Sequence, residues 1–332
     1  MRVERDRAEA VAAAAFEAHG ISPADASHTA GVLVTADAMG KHSHGLLRLP
    51  RFVRGIEAGN VDPDGEIETV RDAGAAATLS GGARLGPVVA SEAIAEATAR
   101  AGEFGVGAVG VHDSNHLGML GYYTDRARRE GYVAVAITNT EPAMPPYGGA
   151  EPVLGTNPIA VATPTDPPVN LDMSTSAIAR GTVLRARDRG EELPEGVALD
   201  ADGQPTRDPA EALDGVIRPF GGVKGSGLAI AVELLAGGLV GAAMGTDVTG
   251  TYHTEDPCTK GDLFVALDPE TLGGPDAVDR MSAFLRDLKA GETAEAFDGI
   301  RLPGERSVAR ADADEVDVDD EVWTEVRELA GE

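Results

Sequence analysis

From residue 75 onward, short β-like runs alternate with helical runs, and this alternation limits the possible folds more than any other feature. Apolar runs suited to strands lie at 76–79, 106–111, 132–139, 159–163, 169–173 and 263–267. Helical patterns begin at Pro87 and again after the strand at 106–111, where the second ends at about residue 130. Further helical patterns lie at 177–187, 226–244 and 276–288. Such alternation is typical of an α/β domain.

Both ends of the chain are helical in pattern. Helices are predicted up to His19, after the Ser22-Pro23 start signal, at 46–59 and at 319–329. The turn-rich stretch 60–65 marks a plausible domain boundary. The most apolar stretch, 228–244, is too short for a bilayer span and carries several glycines, so it predicts a buried helix packed through small residues.

A formal G-x-G-x-x-G occurs at Gly105, Gly107 and Gly110. A dinucleotide fingerprint needs a strand before the glycines and a helix after them. Here the predicted helix comes first and the strand follows. We therefore predict that these glycines end a helix, and that any nicotinamide cofactor binds on a different backbone architecture.

The sequence Ser43-His44-Gly45-Leu46-Leu47-Arg48 places an imidazole and a guanidinium four residues apart. If a helix begins here, the two side chains share a face and Ser43 is a natural N-cap. Imidazole exchanges protons near neutral pH, and a guanidinium can bind a carboxylate through two parallel hydrogen bonds. The alternative is that Ser43 only caps the helix and that His44 and Arg48 lie at the surface.

His116 lies in Ser114-Asn115-His116-Leu117-Gly118, between a predicted strand end and a predicted helix start. The carboxyl ends of strands are where α/β sheets bind ligands, although a structural histidine is an alternative. A zinc site is a second alternative, because histidines also occur in H-x-H and four-residue spacing. Its ligands would be His42, His44, His112 and His116.

Three further segments resemble ligand loops. Lys224 is flanked by glycines on both sides and precedes a helix, a setting that favours an anion. The sequence LDMSTS at 171–176 takes a strand into hydroxyl side chains, and GTNP lies at 155–158. The last two are weak signals alone, because Ser and Thr are ordinary helix caps.

The charge of the chain is strongly negative, with 28 Lys and Arg against 55 Asp and Glu, a net charge of −27. A surface this acidic repels phosphate backbones and anionic lipid, which excludes nucleic acid and membrane surfaces as expected partners. It would also repel an anionic substrate, unless the protein works in molar salt, where the Debye length is about 3 Å. With lysine at only four positions, we expect a halophilic source.

A single cysteine, Cys258, permits no intrachain disulfide. A reducing compartment is therefore the default. The first residues are charged and continue into an amphipathic helix, unlike the apolar core of a signal peptide. We expect a cytoplasmic protein.

Seven ordered motifs together resemble one known family. They are SHGLLR, SNHLG, TNTEP (138–142), GTNP, DMSTS, GGVKGSG and LPGE (302–305). In this order they resemble the type 2 malate/L-lactate dehydrogenases, a family that also holds ureidoglycolate, sulfolactate and diketogulonate dehydrogenases and cyclic imino-acid reductases. The resemblance covers nearly the whole chain. The chain departs from the family pattern at Val197 and Val223, two positions that bear on substrate size and cofactor contacts.

The resemblance implies a non-Rossmann, mixed-sheet nicotinamide-binding fold, with a helical domain formed by both chain ends. It divides the chain into a helical domain, 1–72 with 296–332, and an α/β cofactor-binding domain, 73–295. It also implies NAD or NADP as cofactor and a homodimer with sites near the subunit interface. We predict no metal site.

The resemblance assigns roles to individual residues as well. His44 and His116 would be the acid/base pair, and Ser43 and Arg48 would hold the substrate. The residues that would contact the dinucleotide are Thr140, Asp172, Met173, Ser174, Lys224, Gly304, Glu305 and Arg306.

The resulting hypothesis is reversible hydride transfer between NAD(P)H and C2 of a small 2-oxo acid of the malate, lactate or sulfolactate type. Arg48 would bind the carboxylate, and an imidazolium would protonate the developing alkoxide. The competing hypotheses are a zinc-dependent hydrolase that uses the four histidines, and a binding protein without activity.

Overall fold

The computed structural model describes residues 1–332. Its helices are α1 (Arg5–Ala18), α2 (Pro23–Ala38), α3 (Leu49–Glu57), α4 (Gly86–Phe104), α5 (Leu120–Arg129), α6 (Arg180–Arg189), α7 (Pro209–Asp214), α8 (Val223–Val232), α9 (Pro269–Gly273), α10 (Ala277–Lys289), α11 (Glu305–Val308) and α12 (Asp320–Leu329). Shorter 3₁₀ turns cover His42–His44, Leu46–Arg48 and Gly245–Asp247, and a π-helical segment covers Glu233–Gly238. None of the helices combines the length and the apolar character that crossing a membrane requires.

The strands are β1 (Arg2–Glu4), β2 (Glu68–Asp72), β3 (Ala76–Ser80), β4 (Val106–His112), β5 (Val133–Thr138), β6 (Ile159–Thr163), β7 (Val169–Met173), β8 (Ala198–Leu199), β9 (Pro205–Thr206), β10 (Val216–Ile217), β11 (Asp262–Leu267) and β12 (Glu315–Asp317). Seven of them form one sheet in the order β2-β3-β4-β11-β5-β6-β7. Only β3 and β4 run parallel, and every other pair is antiparallel. The predicted mixed-sheet α/β fold is confirmed, since a Rossmann sheet is mostly parallel.

Helix α4 packs closely on β4 because the contact residues are small. A Cβ at Gly107 would lie 2.0 Å from the carbonyl oxygen of Ala97, so only glycine allows this approach. Gly105 adopts a left-handed conformation with φ of 80° and ends α4, its N–H bonded to the Ala101 carbonyl. The predicted order, a helix before these glycines and a strand after them, is therefore confirmed, although only Gly105 ends the helix and Gly107 and Gly110 lie within β4.

The two ends of the chain share one core. Strand β1 pairs with β12, with Val3 opposite Val316. Behind this pair, the buried side chains of Phe16, Phe52 and Trp323 belong to one apolar cluster, which burial drives together. Strand β2 lies before the predicted boundary at residue 72 yet pairs with β3 in the large sheet, and the proposed domain division stays a prediction.

After β7 the chain forms a small lobe. It holds α6, α7 and a three-stranded sheet in the order β10-β8-β9, with a separate core that includes Val183, Leu193 and Ile217. The sequence patterns did not predict this lobe, because its strands are two residues long. The lobe matters for the site because α6 begins with Arg180.

Two predicted helices differ from the observed ones. The segment 46–59 begins with a 3₁₀ turn, and α3 starts only at Leu49. The buried helix predicted at 228–244 is wrong, because α8 gives way to the π-helical segment and Leu234, Leu235 and Leu239 are 56%, 42% and 68% exposed. This segment carries apolar side chains on every side of the helix. Only the side with Val232 and Ala236 packs on the sheet.

Candidate active site

One cavity of about 670 Å³ collects most of the side chains that the sequence motifs predicted. This volume is in the usual range of small-molecule sites. Of the predicted site residues, those that line it are Ser43, His44, Arg48, His116, Thr140, Asp172, Met173 and Ser174. The four that do not line it are Lys224, Gly304, Glu305 and Arg306.

His44 and His116 stack against each other inside the cavity. Their ring centroids are 6.0 Å apart and the ring planes differ by 28°. The edge of Phe52 packs on His116, with centroids 5.9 Å apart. Two motifs that lie 72 residues apart in the sequence therefore place two imidazoles at one point.

In the first motif, Ser43 to Arg48, a backbone carbonyl holds the guanidinium of Arg48. Arg48 Nε donates to the carbonyl oxygen of Ser43 over 2.7 Å, which leaves the terminal nitrogens of the guanidinium for a ligand. The Ser43 hydroxyl lies 2.9 Å from His44 Nδ1. A hydroxyl can donate or accept, so this contact survives when the ring gains or loses a proton.

The second motif fixes the ring of His116 differently. The backbone N–H of Gly118 donates to His116 Nδ1 over 3.0 Å. A backbone N–H can only donate, so Nδ1 must accept, and the ring proton of neutral His116 is on Nε2. The loop itself is held by the side-chain amide of Asn115, which donates to the carbonyls of Ala83 and Arg84 over 2.7 and 3.0 Å.

Burial and nearby cations keep both rings neutral. Burial, followed by the charges of Arg48 and Lys41, lowers the pKa of His44 to about 3. Burial, followed by Arg51 and Arg48, holds the pKa of His116 well below its ordinary value. Burial lowers the pKa of Arg48 to about 10, so this side chain stays charged at neutral pH. The cavity thus combines neutral imidazoles with a fixed positive charge.

Asp172 lines the cavity from the end of β7. Its Oδ2 accepts the N–H of Gly121 over 3.1 Å, in the first turn of α5, where a negative charge is favoured. Burial raises the pKa of the carboxyl group. Lys41 donates to the backbone carbonyl of Asp172 over 3.1 Å and so ties the end of β7 to the first motif.

Thr140 is held at the cavity by a buried polar network. Its N–H donates to Asn157 Oδ1 over 3.2 Å, and its hydroxyl accepts the N–H of Thr156 over 3.0 Å. Behind them, Glu233 accepts the side-chain amides of Asn157 and Asn139 over 2.6 and 2.9 Å. The carboxylate therefore fixes the strand ends that carry Thr140.

Several residues that the sequence reasoning did not assign to the site also line the cavity. The Arg180 guanidinium carbon lies 4.8 Å from the ring centre of Tyr252, and the buried Nε of Arg180 has no hydrogen-bond partner. Glu141 holds the loop that carries Tyr252 by accepting the N–H groups of Gly250 and His253 over 3.0 and 3.2 Å. Glu141 belongs to the TNTEP motif, but the sequence did not predict that it holds this loop. No local pattern marks Arg180 or Tyr252.

Buried Lys260 also lines the cavity. Its Nζ lies 2.6 Å from Oδ1 of buried Asp262. The carboxylate compensates the buried positive charge beside it. Lys260 was noted in the sequence only as one of four lysines.

The remaining predicted residues lie elsewhere. Lys224 is exposed in the first turn of α8. Gly304 packs so closely on the carbonyl oxygen of Asn170 that a Cβ would lie 2.1 Å from it, and Glu305 pairs with Lys289. Within a single chain, the structure does not bring these residues to the cavity.

The four histidines of the zinc alternative do not converge. His42 Nδ1 lies 3.0 Å from Asp37 Oδ1, and His112 Nδ1 lies 2.8 Å from Asp113 Oδ2. Neither His42 nor His112 lines the cavity. No group of three or more His, Cys, Asp or Glu side chains is arranged to hold a metal ion, so the hydrolase hypothesis loses its basis.

Comparison with known proteins agrees with this geometry. The family model for malate/L-lactate dehydrogenase matches residues 3–327. The malate/(S)-sulfolactate dehydrogenase of Methanothermus fervidus is 41% identical over 96% of this chain and 94% of its own length. The NADP(+)-dependent (2R)-3-sulfolactate dehydrogenase of Chromohalobacter salexigens is 37% identical over 97% of this chain and 96% of its own.

A solved structure extends the likeness to three dimensions. The sulfolactate dehydrogenase from Methanocaldococcus jannaschii superposes with a TM-score of 0.94 and 40% identity, covering 100% of this chain and 97% of that chain. The match spans both ends of the chain, the large sheet and the cavity between them. The chain therefore belongs to the malate/L-lactate dehydrogenase family and is an oxidoreductase of that family.

Proposed function

We propose that the protein catalyses reversible hydride transfer between NAD or NADP and C2 of a small 2-hydroxy or 2-oxo acid. The observation that carries the proposal is the convergence of His44, His116 and the charged Arg48 on one cavity. Imidazoles can move the alcohol proton, and the guanidinium can hold the carboxylate that defines this substrate class.

Arg48 sets the orientation of the substrate. Its Nε is already hydrogen-bonded to the Ser43 carbonyl. The Arg48 side chain therefore loses little conformational entropy when its terminal nitrogens bind a carboxylate. Burial is the main reason for the low pKa of His44, and a carboxylate bound there offsets the smaller contribution from the charges of Arg48 and Lys41. Binding of an anionic substrate therefore raises the pKa of His44.

The two histidines have different roles in the proposal. His44 carries the proton, because its Nδ1 partner is a hydroxyl that adapts to either protonation state. His116 stays neutral and donates a hydrogen bond from Nε2 to the substrate oxygen, because the Gly118 N–H excludes a proton from Nδ1. When bound, the nicotinamide cofactor supplies or accepts the hydride.

The proposed cofactor contacts fit the cavity in part. Thr140, Met173 and Ser174 offer a mixed polar and apolar wall, and Ser174 is oriented by a 2.7 Å contact with the hydroxyl of Ser176. The proposed contacts of Lys224, Gly304, Glu305 and Arg306 lie outside the single-chain cavity. Titration of the protein with NADH and NADPH, followed by fluorescence, decides between the two cofactors.

The finer substrate proposal is a 2-hydroxy acid with a second anionic group, as in malate or sulfolactate. Arg180 lines the cavity, and its buried Nε has no partner within the chain. A buried donor without a partner is costly, and a second anion would satisfy it. This assigns the carboxylate at C1 to Arg48 and the distal anion to Arg180.

Substitution of Arg180 by Gln tests that assignment. We expect KM for oxaloacetate to rise about tenfold or more, the loss of one charge-assisted contact, with at most a twofold change for pyruvate. The matched control is Arg185→Gln, an exposed arginine on the same helix. Equal losses with both substrates would contradict a distal-anion role.

We further propose a homodimer. The exposed side chains of Val223, Ile230, Leu234, Leu235 and Leu239 lie along α8 and the segment that follows it, a surface rarely left free in a single chain. The experiment is light scattering of the parent and of Leu239→Asp. We expect a dimer that the substitution dissociates, whereas Leu272→Asp, in an equally exposed position on α9, leaves it intact.

The experiment that tests the function is a panel of 2-oxo acids with each reduced cofactor, in molar KCl and in dilute buffer. We expect turnover with at least one acid and, for the proposed halophilic protein, greater activity and stability in KCl. Cofactor binding without turnover of any 2-oxo acid would indicate the binding protein instead. Full activity and stability in dilute buffer would remove the halophilic proposal alone.

A further inference from the structure

The segment 42–48 carries the substrate-facing side chains of the first motif but contains little regular structure. It consists of two 3₁₀ turns separated at Gly45, before α3 begins. Such turns have poorer hydrogen-bond geometry than an α-helix. Proton transfer requires reacting atoms to be held to a fraction of an ångström, so something outside the segment must fix it.

Asp37, in the last turn of α2, makes the contacts that do so. Its Oδ1 lies 3.0 Å from His42 Nδ1, and its Oδ2 accepts the N–H of Leu46 over 2.8 Å. The two contacts are two residues before and two residues after His44. Asp37 is 5% exposed, so its hydrogen bonds are not shared with solvent.

Gly45 shows how tightly the segment closes on this carboxylate. A Cβ at Gly45 would lie 2.2 Å from Asp37 Cγ, far inside van der Waals contact. The φ of Gly45 is −89°, so the reason for glycine here is space and not backbone conformation. The backbone on the carboxyl side of His44 therefore rests directly on the side chain of Asp37.

The pKa of the neighbouring ring, His42, is consistent with this clamp. Asp37 raises the pKa of His42, whose other charged neighbours are Asp317, which acts in the same direction, and Arg185, which opposes it. His42 faces Asp37 and does not line the cavity, which leaves it free for a supporting task.

We propose that Asp37 is a positioning residue: by holding His42 and Leu46 it fixes where His44 and Arg48 meet the substrate. This inference rests on the proposed function for its activity readout. If so, kcat/KM depends more on the shape and hydrogen bonds of the Asp37 side chain than on its negative charge.

The test compares Asp37→Ala and Asp37→Asn in the full-length protein. We expect the alanine variant to lose about 10–100-fold in kcat/KM, the effect of a misplaced catalytic group. The asparagine variant should recover most of it, because its amide oxygen can accept from Leu46 N–H and its nitrogen can donate to neutral His42. Cofactor affinity should be unchanged in both variants.

The control is Asp25→Ala, which removes an aspartate from the other end of the same helix. Asp25 pairs with Arg84 and lies outside the cavity. Its loss should lower the melting temperature without changing kcat/KM. If Asp37→Ala does not fold, Gly45→Ala tests the same contact, since a methyl group there must push Asp37 aside.

A second readout does not depend on turnover. In ¹⁵N-labelled protein, the ring signals of His44, identified by their loss in His44→Gln, should shift or broaden in Asp37→Ala and stay unchanged in Asp25→Ala. A parent that turns over no 2-oxo acid would defeat the proposed function, while these spectra still judge the positioning role. Unchanged His44 signals, parental kcat/KM in Asp37→Ala, or an Asp37→Asn variant as impaired as Asp37→Ala would overturn the proposal.

Discussion

The two histidines of the cavity belong to two different parts of the molecule and are held by different kinds of partner. His44 comes from a 3₁₀ turn between α2 and α3, and a side-chain hydroxyl contacts its Nδ1. His116 comes from the loop after β4, and a backbone N–H contacts its Nδ1. The first partner can reverse its hydrogen bond and the second cannot. Two rings of similar burial are thereby suited to different tasks, one to carry a proton and one to donate a hydrogen bond.

The largest expected effect separates the two rings directly. Because glutamine can donate a hydrogen bond but cannot carry a proton, His44→Gln should lower kcat by roughly 10²–10⁴-fold. His116→Gln should lose only about tenfold, since it keeps a donor. Steady-state rates with the best 2-oxo acid measure both, with His28→Gln, outside the cavity, as control. The reverse order of losses would exchange the two roles.

The next effect concerns the cation beside His44. Lysine keeps the charge of Arg48 but loses the planar pair of donors, so Arg48→Lys should lower kcat/KM by about 10–100-fold, mostly through KM. Arg54→Lys, a substitution of the same kind on α3 outside the cavity, should leave both constants unchanged. Arg48→Lys with parental KM would show that Arg48 does not hold the carboxylate.

A smaller effect is expected on stability as a function of pH. The pKa of His44 is about 3 in the folded protein and 6.5 ordinarily, so between these values the unfolded chain binds more protons. Stability should therefore fall as the pH is lowered from 6.5 toward 3. Denaturant unfolding across this range should show a shallower fall in His44→Gln, though not a flat one, because the pKa of His116 is lowered too. An unchanged slope would mean that His44 is not buried as a neutral ring.

The smallest effect concerns the partner of His44. Ser43→Ala removes the hydroxyl beside Nδ1 without touching the carbonyl that holds Arg48. The loss of one hydrogen bond of about 1 kcal/mol corresponds to roughly a fivefold fall in kcat. KM should stay near the parental value. A large rise in KM would instead show that Ser43 contacts the substrate directly, the role that the family resemblance implies for it.

The sequence predicted the parts of the site that depend on short motifs. Both histidine motifs, Thr140 and the 172–174 turn lie at the cavity, because each follows a strand end or a helix end that local patterns can locate. Most strands of the large sheet were predicted for the same reason. The order of that sheet was beyond local patterns, since β11 enters between β4 and β5 from far along the chain.

What the sequence missed depends on long-range contacts. Tyr252 reaches the cavity because Glu141 holds its loop over a separation of more than a hundred residues, and Arg180 does so because a small lobe with a core of its own presents it. Conversely, Lys224 has the glycine-rich setting of an anion site yet is exposed on a single chain. Local chemistry identifies candidate residues, whereas the fold decides which of them meet.

The measurement that tests the central claim most directly is the protonation of the two ring systems, read from ¹⁵N chemical shifts of labelled histidines at neutral pH. Without substrate, we expect two neutral rings, with the proton of His116 on Nε2. On binding of an unreactive 2-oxo acid analogue such as oxamate, the His44 signals should move toward the charged form while those of His116 keep the same tautomer. A proton on Nδ1 of His116, or a charge gained by His116 alone, would contradict the account.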